Sequence, residues 1–308
     1  MTAFTPRPVP SRHPLIIDTD PGIDDAMAIL LACASPELEL RALTTVAGNV
    51  PLALTTENAL KLLELGGRAE VPVYPGAQAP LRRKPVLAES HGTTGLDGAD
   101  LAAPLGRARG RNGVDYLVET LAAAAPGSLT LAAIGPLTNL ALALQRAPGI
   151  GAALAELVIM GGATPKNGGN MSPHAEFNIF VDPEAAEIVF AAGLPITLVP
   201  LDLSAQMVAS RRRIQRFAGL CSPVGRAVAG MLSHFHHGDG HMHDPLTIAW
   251  LLRPDLFAGR RAAIRVETGG ARDGETVFDW REDGNCLVLL EGKDEPFFDL
   301  MVERLARL

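Results

Sequence analysis

Apolar runs of strand length alternate with longer apolar or amphipathic runs of helix length from one end of the chain to the other. Leu15, Ile16 and Ile17 read as the end of a buried strand. Asp18, Thr19 and Asp20 follow, Pro21-Gly22 forces a turn, and Asp24-Asp25 lead into the helical run AMAILLACA. Leu38–Val46 predicts a second strand ending in Ala47-Gly48-Asn49, and Pro51 suits the first turn of a helix reaching about Leu65. After a short strand at Val71–Tyr74, the segment Pro75 to Arg111 is rich in Gly, Pro and charge. Its length without periodicity marks a functional loop rather than a spacer. A helix from about Val114 to Ala125 leads to the strand Ser128–Ile134, and Gly135-Pro136 turns it into the helix LTNLALALQ. Leu154–Met160 is a further buried strand, running into Gly161-Gly162 and the polar, irregular stretch TPKNGGNMSPHAEFN.

Asp182-Pro183-Glu184 then opens a helix, and Pro195–Leu201 predicts a strand ending at Asp202. Arg211–His237 is helical with a break near Ser222-Pro223, and His243-Asp244-Pro245 opens the helix LTIAWLL. Strands near Ala263–Glu267 and Cys286–Leu290 and a helix from about Pro296 close the chain. Strands alternating with helices predict a single-domain α/β fold. It is a Rossmann-like mixed, mostly parallel sheet with helices on both faces. Residues 1–14 read as a proline-rich tail and 15–308 as the domain. In such sheets ligands bind beyond the carboxyl ends of the strands. Asp18/Asp20, Asn49, the Asn170–Asn178 segment and His243-Asp244 should therefore meet.

Composition narrows the picture. The 308 residues are 47% apolar and 20% charged, without a charge block dividing the chain, so one large core is expected. A net charge of −7 argues against a nucleic-acid partner, and Arg211–Arg213 reads as the solvated face of a helix. Cys33, Cys221 and Cys286 are scattered, with no CxxC; this suits a reducing compartment and excludes a cysteine-rich zinc site. There is neither a secretory leader nor an apolar run long enough to span a bilayer, so the expectation is a cytoplasmic protein without a membrane partner.

The candidate chemistry is carboxylate chemistry. Asp18, Asp20, Asp24 and Asp25 crowd one strand-to-helix junction, where they would repel. A helix N-terminus stabilises an exposed acid by only about 0.3–1 kcal/mol, which accounts for one or two of them. A hard cation bridging Asp20 and Asp25 would relieve far more, since calcium and magnesium prefer such oxygens. No GxGxxG follows the first strand, and P-loop, GxSxG and reactive-cysteine signatures are absent. Carboxylates, asparagines and histidines remain, a set suited to a metal and a polyhydroxylated ligand.

DTDPGIDDAMAILLA, TTVAGN, AEFNIFVDPEAA and MHDP stand in the order and at about the spacing of the inosine–uridine-preferring nucleoside hydrolases, which this chain resembles from Leu15 to its C-terminal helix. GHMHDPLTIAWLLRPDLF is most similar to the broad-specificity ribonucleoside branch. The resemblance implies a bound calcium ion, hydrolysis of the N-glycosidic bond of purine or pyrimidine ribonucleosides, and a homodimer or homotetramer. By the same resemblance Asp20, Asp25, Asp244 and the main-chain carbonyl of Ile134 are the calcium ligands, and Asp20 also takes the proton of the attacking water. Asp24 partners the ribose 2′-hydroxyl, and Asn49, Asn170, Glu176 and Asn178 hold ribose hydroxyls. His243 stands near the leaving base, and His91 lies in a loop flanking it. Each residue has a plainer reading: Asp244 as a helix cap, His91 as surface, and Asp182 as a cap, where capping is the better explanation. Which of Phe235 and His234–His241 line the base pocket is left open, as is the choice of base. Two other functions compete. One is a magnesium-dependent phosphatase of the haloacid dehalogenase type, whose first strand also ends in DxD; the other is a non-catalytic nucleoside binder.

Overall fold

The first strand sets the layers. In β1 (His13–Thr19), Leu15 and Ile17 pack into one hydrophobic core and Ile16 into another on the opposite face, as alternating side chains must. The structure is a computed structural model, and it describes residues 13–235 and 240–308.

The chain continues through α1 (Ile23–Cys33), β2 (Leu38–Thr45), α2 (Leu52–Leu65), β3 (Val73–Pro75), α3 (Gly113–Ala123), β4 (Leu129–Ala133) and α4 (Thr138–Arg146). Next come β5 (Leu154–Met160), α5 (Phe177–Val181), α6 (Pro183–Ala191), β6 (Ile196–Val199), α7 (Leu201–Ser204), α8 (Arg211–Ala218) and α9 (Pro223–Phe235). The last elements are α10 (Pro245–Leu252), β7 (Phe257–Val266), β8 (Thr276–Trp280), β9 (Cys286–Gly292) and α11 (Asp294–Leu305).

One sheet takes the order β3-β2-β1-β4-β5-β6-β9-β7-β8, parallel from β3 to β9 and antiparallel where β7 joins β9 and β8. β4 and β6 are buried at every position, which is why they read as continuous apolar runs. One core gathers α1, α2 and α8 to α11; the other gathers α3, α4 and α6. The fold is therefore the mostly parallel α/β sheet that the sequence predicts. The connections leave β1 toward β2 and β3 and then return to its other side at β4. That reversal opens a crevice outside the carboxyl ends of β1 and β4.

Several local expectations change. β1 begins at His13, inside the stretch read as tail. β8, unread in the sequence, pairs with β7, and β7 itself starts at Phe257. β6 stops at Val199, so Asp202 sits in α7 and accepts hydrogen bonds from Thr164. Arg213 is not solvated: it is buried over the Phe298 ring at 4.2 Å and pairs with Asp294 and Glu295 on α11. His236 and His237, read as the end of the helix, lie outside the described residues.

Candidate active site

The turn from β1 to α1 is built around Asp25. Its carboxylate accepts from Thr19 Oγ1 at 2.5 Å, Asp20 N at 3.2 Å, Gly22 N at 3.0 Å and Asn49 Nδ2 at 3.0 Å. The third residue of the helix thus ties down the backbone before it, an arrangement the helix dipole favours. Asn49, in the turn after β2, also donates its main-chain N–H to Asp20 Oδ2 at 2.7 Å. The glycines here are required by space: a Cβ on Gly48 would lie 2.0 Å from Asp20 Oδ2, and one on Gly22 would lie 2.7 Å from Asn49 Nδ2.

Sequence-distant acids meet above this turn. Asp24, Asp25 and Asp244 are buried and place carboxylate oxygens within 4.8 Å of one another. Asp20, fully buried, has one oxygen, Oδ1, with no hydrogen-bond partner among the described residues. Burial, with the charges of Asp25 and Asp24, pushes the Asp20 carboxyl well above its ordinary range. Burial and the charges of Asp24, Asp25 and Asp20 do the same to Asp244, and Asp25 is pushed up to about 6 by burial and Asp24. Acids crowded this way ionise together only beside a cation, and an all-oxygen donor set with an unsatisfied buried oxygen fits a hard divalent ion. The Ile134 carbonyl accepts from Asn178 Nδ2 at 3.0 Å, which leaves its second lone pair for a ligand.

Capping does not explain Asp244. It has helical backbone angles and makes no side-chain cap bond, whereas Asp182 caps α6 through Ala185 N and also accepts from Thr138 and Leu81. Asp18 departs from the cluster: its side chain pairs with Thr44 and Asn139. Three acids of the first motif, not four, thus share the site with Asp244.

A cleft of about 680 Å³ opens over the cluster, lined by Asp24, Asn49, His91, Ile134, Asn170, Glu176, Asn178, His243 and Asp244. Of the expected metal-holding and ribose-holding residues, Asp20 and Asp25 alone are missing from that lining; they lie beneath it, joined to it through Asn49. Glu176 caps α5 by accepting from Gly162 N, Asn178 N and Ile179 N, which leaves about one of its four acceptor positions. Asn49 spends its amide on Asp25 and the Asp20 carbonyl, and Asn170 accepts from Phe177 N while staying exposed.

His91 is buried rather than surface. Its Nδ1 accepts from Ile23 N at 3.1 Å, and its ring stacks on Phe235 with centroids 5.2 Å apart. The same Phe235 meets the His243 ring edge-on at 6.5 Å, so it belongs to the cleft; His234 is exposed and lies outside the lining. His243 Nδ1 lies 2.9 Å from Ser204 Oγ. The sequence reading missed Thr19 and Ser204, single hydroxyls with no pattern around them. It also missed the apolar wall of Val86, Leu87, Met171 and Phe177.

Together these features define an α/β enzyme whose acidic cleft sits at the topological switch point of its sheet. The family model of the inosine-uridine preferring nucleoside hydrolases matches residues 15–299. The pyrimidine-specific ribonucleoside hydrolase RihA of Photobacterium profundum is 42% identical over 96% of this chain and 99% of its own length. Among solved structures, a plant nucleoside hydrolase superposes with a TM-score of 0.87 at 34% identity, covering 96% of this chain and 99% of that one. The purine-preferring ribonucleoside hydrolase from Gardnerella vaginalis gives 0.89 at 29% identity, covering 95% and 98%. The chain belongs to the inosine-uridine preferring nucleoside hydrolase family and is a ribonucleoside hydrolase, an N-glycosidase. The phosphatase and the non-catalytic binder are thereby set aside.

Proposed function

We propose that the chain hydrolyses the N-glycosidic bond of ribonucleosides, pyrimidine ribonucleosides foremost, with calcium held by Asp20, Asp25, Asp244 and the Ile134 carbonyl. The observation that carries this reading is the convergence of buried carboxylates, one with an oxygen that has no partner among the described residues, beneath a cleft lined by carboxylate, amide and imidazole side chains. The likeness to a pyrimidine-specific relative supports the choice of base. When bound, the ion supplies fixed positive charge for hydroxyl and water oxygens.

The protein's own residues do the rest. Asp24 and the remaining acceptor of Glu176 take ribose hydroxyls, with Asn170 and Asn178 beside them, which sets the anomeric carbon over the acid cluster. Asp20 Oδ1, which no donor among the described residues occupies, takes the proton of the attacking water. Cleaving the C–N bond builds positive charge on the sugar, and the surrounding carboxylates stabilise it. His243, oriented through Nδ1 by Ser204, stands at the cleft beside the departing base, and His91 and Phe235 flank that base. The enzyme acts in the cytoplasm on free nucleosides in catabolism and salvage, as a homodimer or homotetramer, with no nucleic-acid or membrane partner; no helix among the described residues is long and apolar enough to cross a membrane.

Steady-state kinetics over uridine, cytidine, inosine, adenosine and 2′-deoxyuridine, before and after metal stripping, test this. Uridine and cytidine should lead. 2′-Deoxyuridine should fall roughly 10⁴–10⁵-fold behind uridine, as for a site built to bond a hydroxyl. Activity should vanish on stripping and return with calcium. Full turnover by protein shown metal-free by elemental analysis would sink the proposal.

A further inference from the structure

Gly161-Gly162, at the end of β5, is a strand-end motif to which the proposed reaction gives no direct role. Gly162 has φ +74°, and a Cβ there would come within 2.9 Å of the Thr276 side chain, so only glycine fits. Its N–H donates to Glu176 Oε2 at 3.0 Å, and its carbonyl accepts from Leu201 N at 2.9 Å. The next residue, Ala163, is gripped from both sides. Thr276 Oγ1 accepts from Ala163 N at 3.0 Å and donates to Ala163 O at 2.9 Å. Thr276 is 1% exposed and begins β8, 113 residues further along the chain. No other side chain among the described residues bonds the Ala163 backbone.

We infer that Thr276 is a positioning residue for the ribose: by clamping the Ala163 peptide it fixes the Gly162 N–H that aims the Glu176 carboxylate at the sugar. The inference rests on the proposed role of Glu176 and extends it to a residue outside the cleft lining. A hydroxyl that both donates and accepts on one residue fixes that residue's position and its rotation. Without it the Gly162 N–H keeps its partner but loses its bearing, and a misplacement far from the chemistry lowers rate by up to about 100-fold.

The test pairs Thr276→Val, which keeps volume and shape, with Thr276→Ser, which keeps the hydroxyl. Thr276→Ala is the hydroxyl-free variant of smaller bulk should valine not fold. Kinetics on uridine and its 2′-, 3′- and 5′-deoxy analogues are compared in wild-type and Glu176→Gln backgrounds. Glu176→Gln by itself tests the role of Glu176: the analogue on which it costs least identifies the hydroxyl that Glu176 holds. Thr276→Val should then lower kcat/KM for uridine by about 10- to 100-fold. It should cost least on that same analogue and add nothing to Glu176→Gln, and Thr276→Ser should match the wild type. An equal loss on every analogue, or full additivity with Glu176→Gln, would overturn the inference while leaving the role of Glu176 intact. A Glu176→Gln loss that ignores the sugar would remove both.

Discussion

Asp182 and Asp244 each stand before a proline that starts a helix, and their surroundings send them to opposite duties. Asp182 gives both oxygens to local donors, while Asp244 makes no cap bond and joins the acid cluster. His243, one residue earlier, is defined by a smaller contact. Ser204 Oγ lies 2.9 Å from its Nδ1 and fixes the orientation of the ring, which lines the cleft. If that ring supplies the proton for the leaving base, His243→Ala should reduce kcat on uridine by about 10²–10⁴. A nitrophenyl riboside leaves without protonation and should be cleaved nearly as fast as by the wild type. Equal losses on both substrates would reduce His243 to a structural role and pass the acid's duty to another donor, such as His241, whose ring lies 6.0 Å away. At this scale the site was legible wherever acids or amides recur in a pattern. It was illegible at Thr19, Ser204 and Thr276, since a lone hydroxyl carries no sign of the partner the fold brings to it.

Among the elements, the parallel strands were readable because burial on both faces leaves no polar alternation to confuse. β8 was not. It is a half-exposed edge strand, TVFDW, whose pairing with β7 depends on a turn at 267–275 that the local text does not announce. That turn also anchors the segment that leads into the cleft lining at 86–91. Arg83, in the segment read as a functional loop, bonds Glu184 on α6 together with Asp273 and the Thr268 carbonyl in the turn. Nearby, Leu81 N donates to Asp182. The loop that carries His91 is therefore pinned to α6 and to the β7–β8 turn at one arginine. Arg83→Met keeps the stem but removes the fork. It should loosen residues 84–90, raise KM several-fold with a smaller change in kcat, and speed limited proteolysis within that loop; a stability loss of about 1–3 kcal/mol is expected, since the arginine is only partly buried. Unchanged KM and cleavage pattern would mean that the loop is held elsewhere.

For the whole molecule, the acid cluster sets function against stability. Asp20, Asp25 and Asp244 are buried together; in the metal-free protein burial and neighbouring carboxylates raise the proton affinity of each, and Asp244 feels the charges of Asp24, Asp25 and Asp20. An ion that binds only the folded state turns that repulsion into stabilisation. At a concentration 100 times its dissociation constant it adds about 2.7 kcal/mol, which for a chain of this size raises Tm on the order of 5 °C. Replacing one acid by its neutral isostere separates the two effects. Asp244 is the right choice because it makes no cap bond that the change would break. Metal-free Asp244→Asn should melt at or above the temperature of the metal-free wild type, since a buried like-charge contact is gone. In calcium the order should invert, with the wild type gaining and the variant gaining little or nothing. The readout is thermal unfolding with chelator and with a calcium series, so it does not depend on turnover. If the variant is the less stable one without metal, the cluster is held by hydrogen bonds rather than poised for a cation. If calcium leaves the wild-type Tm unmoved, these acids hold no calcium.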